Sequence, residues 1–167
     1  TVACYMIQGR SGKEFETARL FALSEPELME ELIHRLTDAT IEYLQMQIDA
    51  GADAIQIFDS WAGLLIPSEF ERWVIEPTKK IVSFLRNSHP NTPIIGFAKG
   101  AGPQLPRYAR ETAVNGIGVD QHTPIDFAIS ARLSERQAIQ GNLDPLVIAT
   151  NKDRALKETE MILKSMA

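Results

Sequence analysis

The sequence is poor in cysteine, and Cys4 is the only one among its 167 residues. A single thiol cannot form a disulfide framework or a cysteine-rich metal site within one chain, and such usage is typical of a reducing compartment. Basic residues are also few, since 17 lysines and arginines face 22 acidic residues and the formal net charge is -5. The composition therefore argues against a disulfide scaffold, a nucleic-acid binder and a membrane-surface binder.

Long apolar runs are missing as well. No stretch approaches the length of about 20 apolar residues that a bilayer span requires, and no signal peptide is visible, so the expected location is the cytoplasm. The chain opens at Thr1 without an initiator methionine and stops at Met166-Ala167, directly after a helical pattern. We therefore expect residues 1–167 to be a single partial domain, an internal piece that is incomplete at both ends.

The composition is ordinary for a globular domain, with 44% hydrophobic and 23% charged residues. Along the sequence, strand patterns alternate with helix patterns. Short apolar runs predict five strands, at residues 2–7, 53–58, 94–97, 117–120 and 138–140. The longest helix is expected to begin at a capping box formed by Ser24 and Glu27 and to end before Gly51, and Pro77 should kink or interrupt the next helix. This alternation predicts an α/β fold with a parallel sheet.

Every predicted strand ends in polar residues, namely Gln8, Asp59-Ser60, Lys99, Asp120-Gln121 and Asn142 with Asp144. The carboxyl ends of parallel strands share one edge of a sheet, and ligands bind there. A nucleotide-binding sheet would need a glycine fingerprint after its first strand, and the glycines at residues 9–12 have the wrong spacing. Repeated polar strand ends instead favour a TIM (β/α)8 barrel, of which about five β-α units would be a partial barrel.

Four blocks of the sequence carry a resemblance to a known family. They are TVACYMIQG at residues 1–9, FDSWAG at residues 58–63, GFAKG at residues 96–100 and QGNLDP at residues 140–145. In this order they closely resemble the central and C-terminal blocks of uroporphyrinogen decarboxylase. The match extends over essentially the whole chain, and the combination of blocks is far more specific than any one of them.

The resemblance implies a fold and an activity. Members of this family are homodimeric (β/α)8 barrels that use no metal or organic cofactor. They remove the carboxylates of the four acetate arms of uroporphyrinogen III to give coproporphyrinogen III in haem and chlorophyll synthesis. The expected full-length protein is therefore a carboxy-lyase with a small-molecule substrate, and it is expected to bind neither nucleic acid nor membrane.

The resemblance also implies three substrate-binding residues. Tyr5 matches the tyrosine whose hydroxyl approaches the substrate carboxylate, Ser60 matches a serine that hydrogen-bonds a substrate arm, and Phe58 matches an aromatic residue of the pocket wall. Strand periodicity independently puts Gln56, Phe58 and Ser60 on one face of their strand, opposite Ile57.

No residue of the chain is assigned as the catalytic group. The family's arginine-rich segment and its central aspartate match positions before Thr1, and its pocket histidine matches positions after Ala167. Loss of carbon dioxide leaves electrons that a protonated pyrrole can accept, and a nearby carboxylate stabilises that cation. Tyr5 and Ser60 can orient an arm but cannot supply this anion, so we expect the isolated chain to be inactive.

Simpler roles compete for the same residues. Tyr5 would be a core tyrosine on an apolar strand, and either Ser60 or Asp59 would cap the turn that leaves their strand. Lys99 would either balance an anionic ligand or pair with Asp120. Asn142 and Asp144 would hold their turn and start the following helix, with Pro145 at its first position.

Two other functions compete with decarboxylation. The first is a zinc- and corrinoid-dependent methyltransferase on the same barrel, for which zinc needs histidine or cysteine ligands that residues 96–99 lack. The second is a non-catalytic scaffold fragment with open sheet edges.

Overall fold

The computed structural model describes residues 1–166, in which helices pack against a parallel sheet. Its strands are β1 (Ile55–Asp59), β2 (Ile94–Ala98), β3 (Gly116–Gly118) and β4 (Ala138–Gln140). Its helices are α1 (Val2–Gln8), α2 (Glu16–Ser24), α3 (Pro26–Asp49), α4 (Pro67–Phe70), α5 (Glu76–Ser88), α6 (Leu105–Thr112), α7 (Ile125–Ser130), α8 (Pro145–Thr150) and α9 (Lys152–Met166). Short 3-10 turns span Ala62–Leu64 and Gly102–Gln104.

The sheet order is β1-β2-β3-β4, and all neighbouring strands are parallel. Each strand is followed by at least one helix before the next strand begins, as parallel pairing requires. The predicted α/β fold with a parallel sheet is therefore confirmed. Because the four strands are parallel, the carboxyl ends of β1 to β4 lie along one edge of the sheet.

The prediction of a strand at residues 2–7 is wrong, because these residues form α1 and the described sheet has four strands instead of five. A short apolar run does not by itself distinguish a strand from a buried helix segment. Gly9 ends α1: it adopts the left-handed conformation (φ 69°), and its amide donates to the carbonyl of Tyr5 at 2.8 Å, as at many helix ends. Ala3 is buried in the cluster that also holds Met29 and Trp73.

The predicted capping box at Ser24 and Glu27 is also wrong. Ser24 is still the last residue of α2, and Glu25 is the non-helical residue before α3, with no side-chain capping hydrogen bond. A residue with helical backbone angles cannot occupy the N-cap position. The expected interruption at Pro77 is present, because a π-helical segment, Glu71–Ile75, separates α4 from α5 just before it.

The two faces of the sheet differ in burial. Ile55, Ile94 and Ile117 face the helices, and all three are buried in the apolar clusters beneath them. The alternate positions form what we call the open face, which comprises Gln56, Phe58, Ile95, Phe97, Gly116, Gly118, Ala138 and Gln140. Its outer members, Gln56 and Gln140, are exposed. The open face is the side of the sheet opposite the helices.

Within residues 1–166 no helix has both the length and the apolar character needed to cross a membrane.

Candidate functional site

The carboxyl edge of the sheet is held together by main-chain hydrogen bonds that continue beyond the strands. The Lys99 amide donates to the carbonyl of Asp59 at 3.0 Å, and the Gly63 amide donates to the carbonyl of Lys99 at 2.9 Å. On the far side, the Val119 amide donates to the carbonyl of Gln140 at 2.8 Å. The loops that leave the strands therefore start from fixed positions.

Asp120 is the buried carboxylate of this edge, with 7% of its surface exposed. It accepts hydrogen bonds from the amide of Gly100 at 2.7 Å, the amide of His122 at 2.9 Å and the hydroxyl of Thr123 at 3.3 Å. These donors tie the loop after β2 to the loop after β3. Lys99, in contrast, is exposed and forms no ion pair among residues 1–166, so its predicted alternative of pairing with Asp120 is not realised.

The end of β1 is tied to the start of α1. The Thr1 hydroxyl donates to the carboxylate of Asp59 and accepts a hydrogen bond from the Ser60 amide at 2.7 Å. Asp59 also accepts from the amide of Trp61 at 3.1 Å, so Asp59, and not the Ser60 side chain, holds the turn that leaves the strand. In the described part of the chain the Ser60 hydroxyl makes no hydrogen bond. Ser60 is therefore fixed through its backbone.

Tyr5 reaches this strand end through aromatic contacts. Its ring packs edge-on against Phe15, with 5.1 Å between the centroids, and the ring of Phe15 lies 4.8 Å from that of Trp61. Tyr5 lies on α1 and is 41% exposed, so it is not the core tyrosine of the simpler interpretation. Tyr5 and Ser60 thus belong to two elements that meet at the carboxyl end of β1.

Phe15 is a residue that sequence reasoning missed. Its side chain is 1% exposed, yet its backbone is left-handed, with φ 46°. This conformation costs a non-glycine residue roughly 1–2 kcal/mol, so the burial of the ring offsets a local penalty. The sequence gives no indication of this left-handed backbone, because a phenylalanine beside a charged segment resembles any other core residue.

Phe58 lies on the open face as predicted, and 63% of its surface is exposed. Its register partner on β2 is Phe97, whose own partner on β3 is Gly118. A Cβ atom placed on Gly118 would lie 2.9 Å from the Cβ of Phe97, so the phenylalanine occupies the space above this glycine. The open face therefore carries two neighbouring aromatic side chains, of which sequence reasoning selected one. The sequence signal that could have placed Phe97 and Gly118 on this face is the alternation of side chains between the two faces of a strand, since Ile117 lies on the opposite face.

The polar residues that follow β4, Asn142 and Asp144, hold a turn and start a helix, which is the structural role predicted for them. The Asn142 side chain donates to the carbonyl of Thr123, which links the loops after β3 and β4. The Asp144 carboxylate accepts from the amide of Leu146 at 2.8 Å and caps α8. No three histidine, cysteine or acidic side chains of residues 1–166 cluster closely enough to hold a metal ion.

A parallel sheet with helices packed on one face and polar residues at its carboxyl edge is the arrangement of β/α-barrel enzymes. The family model of uroporphyrinogen decarboxylase (URO-D) matches residues 1–167. The chain belongs to the uroporphyrinogen decarboxylase family, and its four-stranded sheet corresponds to part of a TIM barrel.

Curated relatives agree with the family match. The chain is 45% identical over 168 residues to the uroporphyrinogen decarboxylase of Granulibacter bethesdensis, an alignment that covers 100% of the chain and 48% of the relative. It is 44% identical over 168 residues to that of Novosphingobium aromaticivorans, with 100% and 49% covered. It is 49% identical over 150 residues to that of Rhizorhabdus wittichii, with 90% and 43% covered. The chain spans about half the length of these relatives.

Proposed function

We propose that the complete protein is a uroporphyrinogen decarboxylase, which removes the carboxylates of the four acetate arms of uroporphyrinogen III. The observation that supports this proposal is the family match along all of residues 1–167. The blocks that matched at the sequence level also meet in space, because FDSWAG and GFAKG end neighbouring strands and QGNLDP follows the last one. The reaction is the loss of carbon dioxide from each arm without a cofactor.

Tyr5 and Ser60 are proposed to orient the reacting arm. Both are hydroxyl donors that make no side-chain hydrogen bond within residues 1–166, so each has a proton to donate to a substrate carboxylate. Phe58 is proposed to form a wall of the pocket, since its exposed ring suits the apolar face of a pyrrole. Hydrogen bonds to one carboxylate would hold the bond to be broken in one orientation.

The chemistry assigns the remaining work to other groups of the complete protein. When the carbon–carbon bond breaks, the carboxylate leaves as carbon dioxide and its bonding pair enters the protonated pyrrole. A proton then converts the remaining methylene carbon into a methyl group, and the ring carbon releases the proton it had gained, which restores the neutral pyrrole. The cation requires an anion beside it, and the unreacted carboxylates require arginines, and we assign neither role to a residue of this chain.

The proposal includes the assembly and the location expected from the family. We propose that the complete protein is a homodimer in the cytoplasm. In the described residues β1 and β4 are the edge strands of an open sheet, so we assign activity to the complete protein and not to residues 1–167 alone. Light scattering during size-exclusion chromatography tests the dimer.

The activity is tested by incubating the purified complete gene product with uroporphyrinogen III under reducing, oxygen-free conditions. The products are then oxidised to porphyrins and separated by chromatography with fluorescence detection. We expect coproporphyrin to accumulate through partly decarboxylated intermediates, together with carbon dioxide. A folded protein that leaves uroporphyrinogen unchanged would refute the proposal.

A further inference from the structure

Lys99 directly follows β2 and Ser60 directly follows β1, at the point where Asp59 and Ala98 are paired in the sheet. Lys99 follows Phe97 by two positions, and successive side chains of a strand alternate between faces, so Lys99 and Phe97 share a side. Its amide hydrogen-bonds the carbonyl of Asp59, the residue that immediately precedes Ser60. Strand alternation, continued by one residue past each strand, therefore predicts a cation and a hydroxyl donor at adjacent positions on the side of the open face.

The backbone of Lys99 is held from both neighbouring strands. On the β1 side, its amide donates to Asp59 at 3.0 Å and its carbonyl accepts from Gly63 at 2.9 Å. On the β3 side, the next amide, that of Gly100, donates to the carboxylate of Asp120 at 2.7 Å. These hydrogen bonds fix the position of the Lys99 backbone, while the flexible four-carbon side chain lets the ammonium group move toward a ligand.

The carboxylates nearest in the fold do not neutralise Lys99. Asp59 is engaged by Thr1 and by the Trp61 amide, and Asp120 is engaged by two amides and a hydroxyl. Lys99 itself is exposed and forms no ion pair among residues 1–166. In a chain with net charge -5, this leaves a positive charge at the edge where ligands of parallel sheets bind.

We infer that Lys99 is a substrate-binding residue that holds one carboxylate of the substrate while Ser60 contacts a neighbouring arm. This inference rests on the proposed function, because it takes the substrate to be a tetrapyrrole with acetate arms. Lys99 contributes a charge-assisted hydrogen bond to the bound carboxylate, and this contact forms on binding instead of in the transition state.

The test compares Lys99→Gln, Lys99→Arg and Lys157→Gln in the complete gene product. Lys157 is an exposed lysine on α9, outside the loops that follow β1 and β2, and is the matched control. Lys99→Gln should raise the KM for uroporphyrinogen about ten-fold with little change in kcat, because one charged hydrogen bond is lost. It should also weaken the dependence of kcat/KM on salt. Lys99→Arg should restore both, and Lys157→Gln should match the wild type.

A second measurement separates this inference from the proposed function. Uroporphyrin, the stable oxidised form of the substrate, is titrated into the same proteins and binding is followed by fluorescence. A wild type that binds uroporphyrin but does not decarboxylate uroporphyrinogen would refute the decarboxylase and leave the affinity comparison to decide on Lys99. Equal affinity, KM and salt dependence in the wild type and Lys99→Gln would overturn the inference, and so would a wild type that neither binds nor reacts.

Discussion

Gly63 and Gly100 lie in direct backbone contact across the loops that follow β1 and β2. A Cβ atom placed on Gly63 would lie 2.5 Å from the carbonyl oxygen of Gly100 and 2.7 Å from its Cα. The same approach lets the Gly63 amide reach the carbonyl of Lys99. The glycine of the FDSWAG block is therefore required by packing, because only a residue without a side chain lets the two loops close.

Replacing Gly63 with alanine should lower the free energy of unfolding of the complete protein by roughly 1–3 kcal/mol, the usual range for overpacking. The clash involves backbone atoms on both sides, so it cannot be relieved by turning a side chain. Urea unfolding followed by circular dichroism measures the change.

The matched control is Gly116→Ala. The nearest atom to a Cβ at Gly116 is the Ile95 side chain at 3.4 Å, which is close to an ordinary contact. This variant should stay within about 0.5 kcal/mol of the wild type. Equal unfolding midpoints for the two alanine variants would show that the contact between Gly63 and Gly100 is not tight in solution.

Tyr5→Phe should lower kcat/KM about ten-fold or more in the complete protein, the effect expected when one hydrogen bond to a charged group is lost. Stability should hardly change, because the ring of Tyr5 supplies the contact with Phe15 and the ring is retained. The measurements are steady-state kinetics with uroporphyrinogen and urea unfolding of the same samples.

Tyr43→Phe is the control for this prediction. Tyr43 lies on α3 with more than half of its surface exposed, and its loss of a hydroxyl should leave the kinetics unaltered. If Tyr5→Phe also retained wild-type kinetics, Tyr5 would have no place in the substrate site.

Asp120→Ala should destabilise the complete protein by about 2–4 kcal/mol, because it leaves the amides of Gly100 and His122 without an acceptor in a buried place. Asp120→Asn keeps one carbonyl oxygen and should cost less. Asp126→Ala, at an exposed acidic residue of α7, should cost under about 0.5 kcal/mol. Thermal unfolding would contradict this role if Asp120→Ala and Asp126→Ala were equally stable.

The sequence predicted the parts of this structure that depend on alternation along the chain. Ile55 is buried and Phe58 is exposed because strand side chains alternate, and that pattern is visible in the letters themselves. Asp144 before Pro145 likewise predicted a helix start, because the cap is a local hydrogen bond. The polar residues after each predicted strand also indicated the carboxyl edge as the place where a ligand binds.

The features that depend on distant contacts could not be predicted. Residues 2–7 form a helix because Ala3 packs beside Met29 and Trp73, a contact that no local pattern reveals. The position of Phe15 depends on Trp61, nearly fifty residues away in the sequence. The sequence could not decide between the alternatives for Lys99, because the Asp120 carboxylate accepts a hydrogen bond from the amide of Gly100, a contact between residues of two different loops.

Tyr108 should make stability fall at high pH. Burial raises the pKa of its phenol, which is 1% exposed, and the neighbouring Thr78 hydroxyl opposes part of this increase. Above about pH 10 the unfolded chain therefore releases a proton that the folded protein keeps. The unfolded state then binds fewer protons, so the free energy of unfolding should decrease by up to about 1.4 kcal/mol per pH unit from this group.

The measurement compares wild type with Tyr108→Phe by urea unfolding at about pH 8 and about pH 11, on either side of the ordinary tyrosine pKa. The Tyr108→Phe variant has no ionisable group at this position, so the wild type should lose stability relative to the variant as the pH rises. Tyr43→Phe serves as the exposed comparison on α3. The Tyr108 hydroxyl is buried beside Gly96, so the phenol should ionise less readily in the folded state than in the unfolded state. If the stability difference between wild type and Tyr108→Phe did not change with pH, the phenol would ionise equally in both states and this prediction would be wrong.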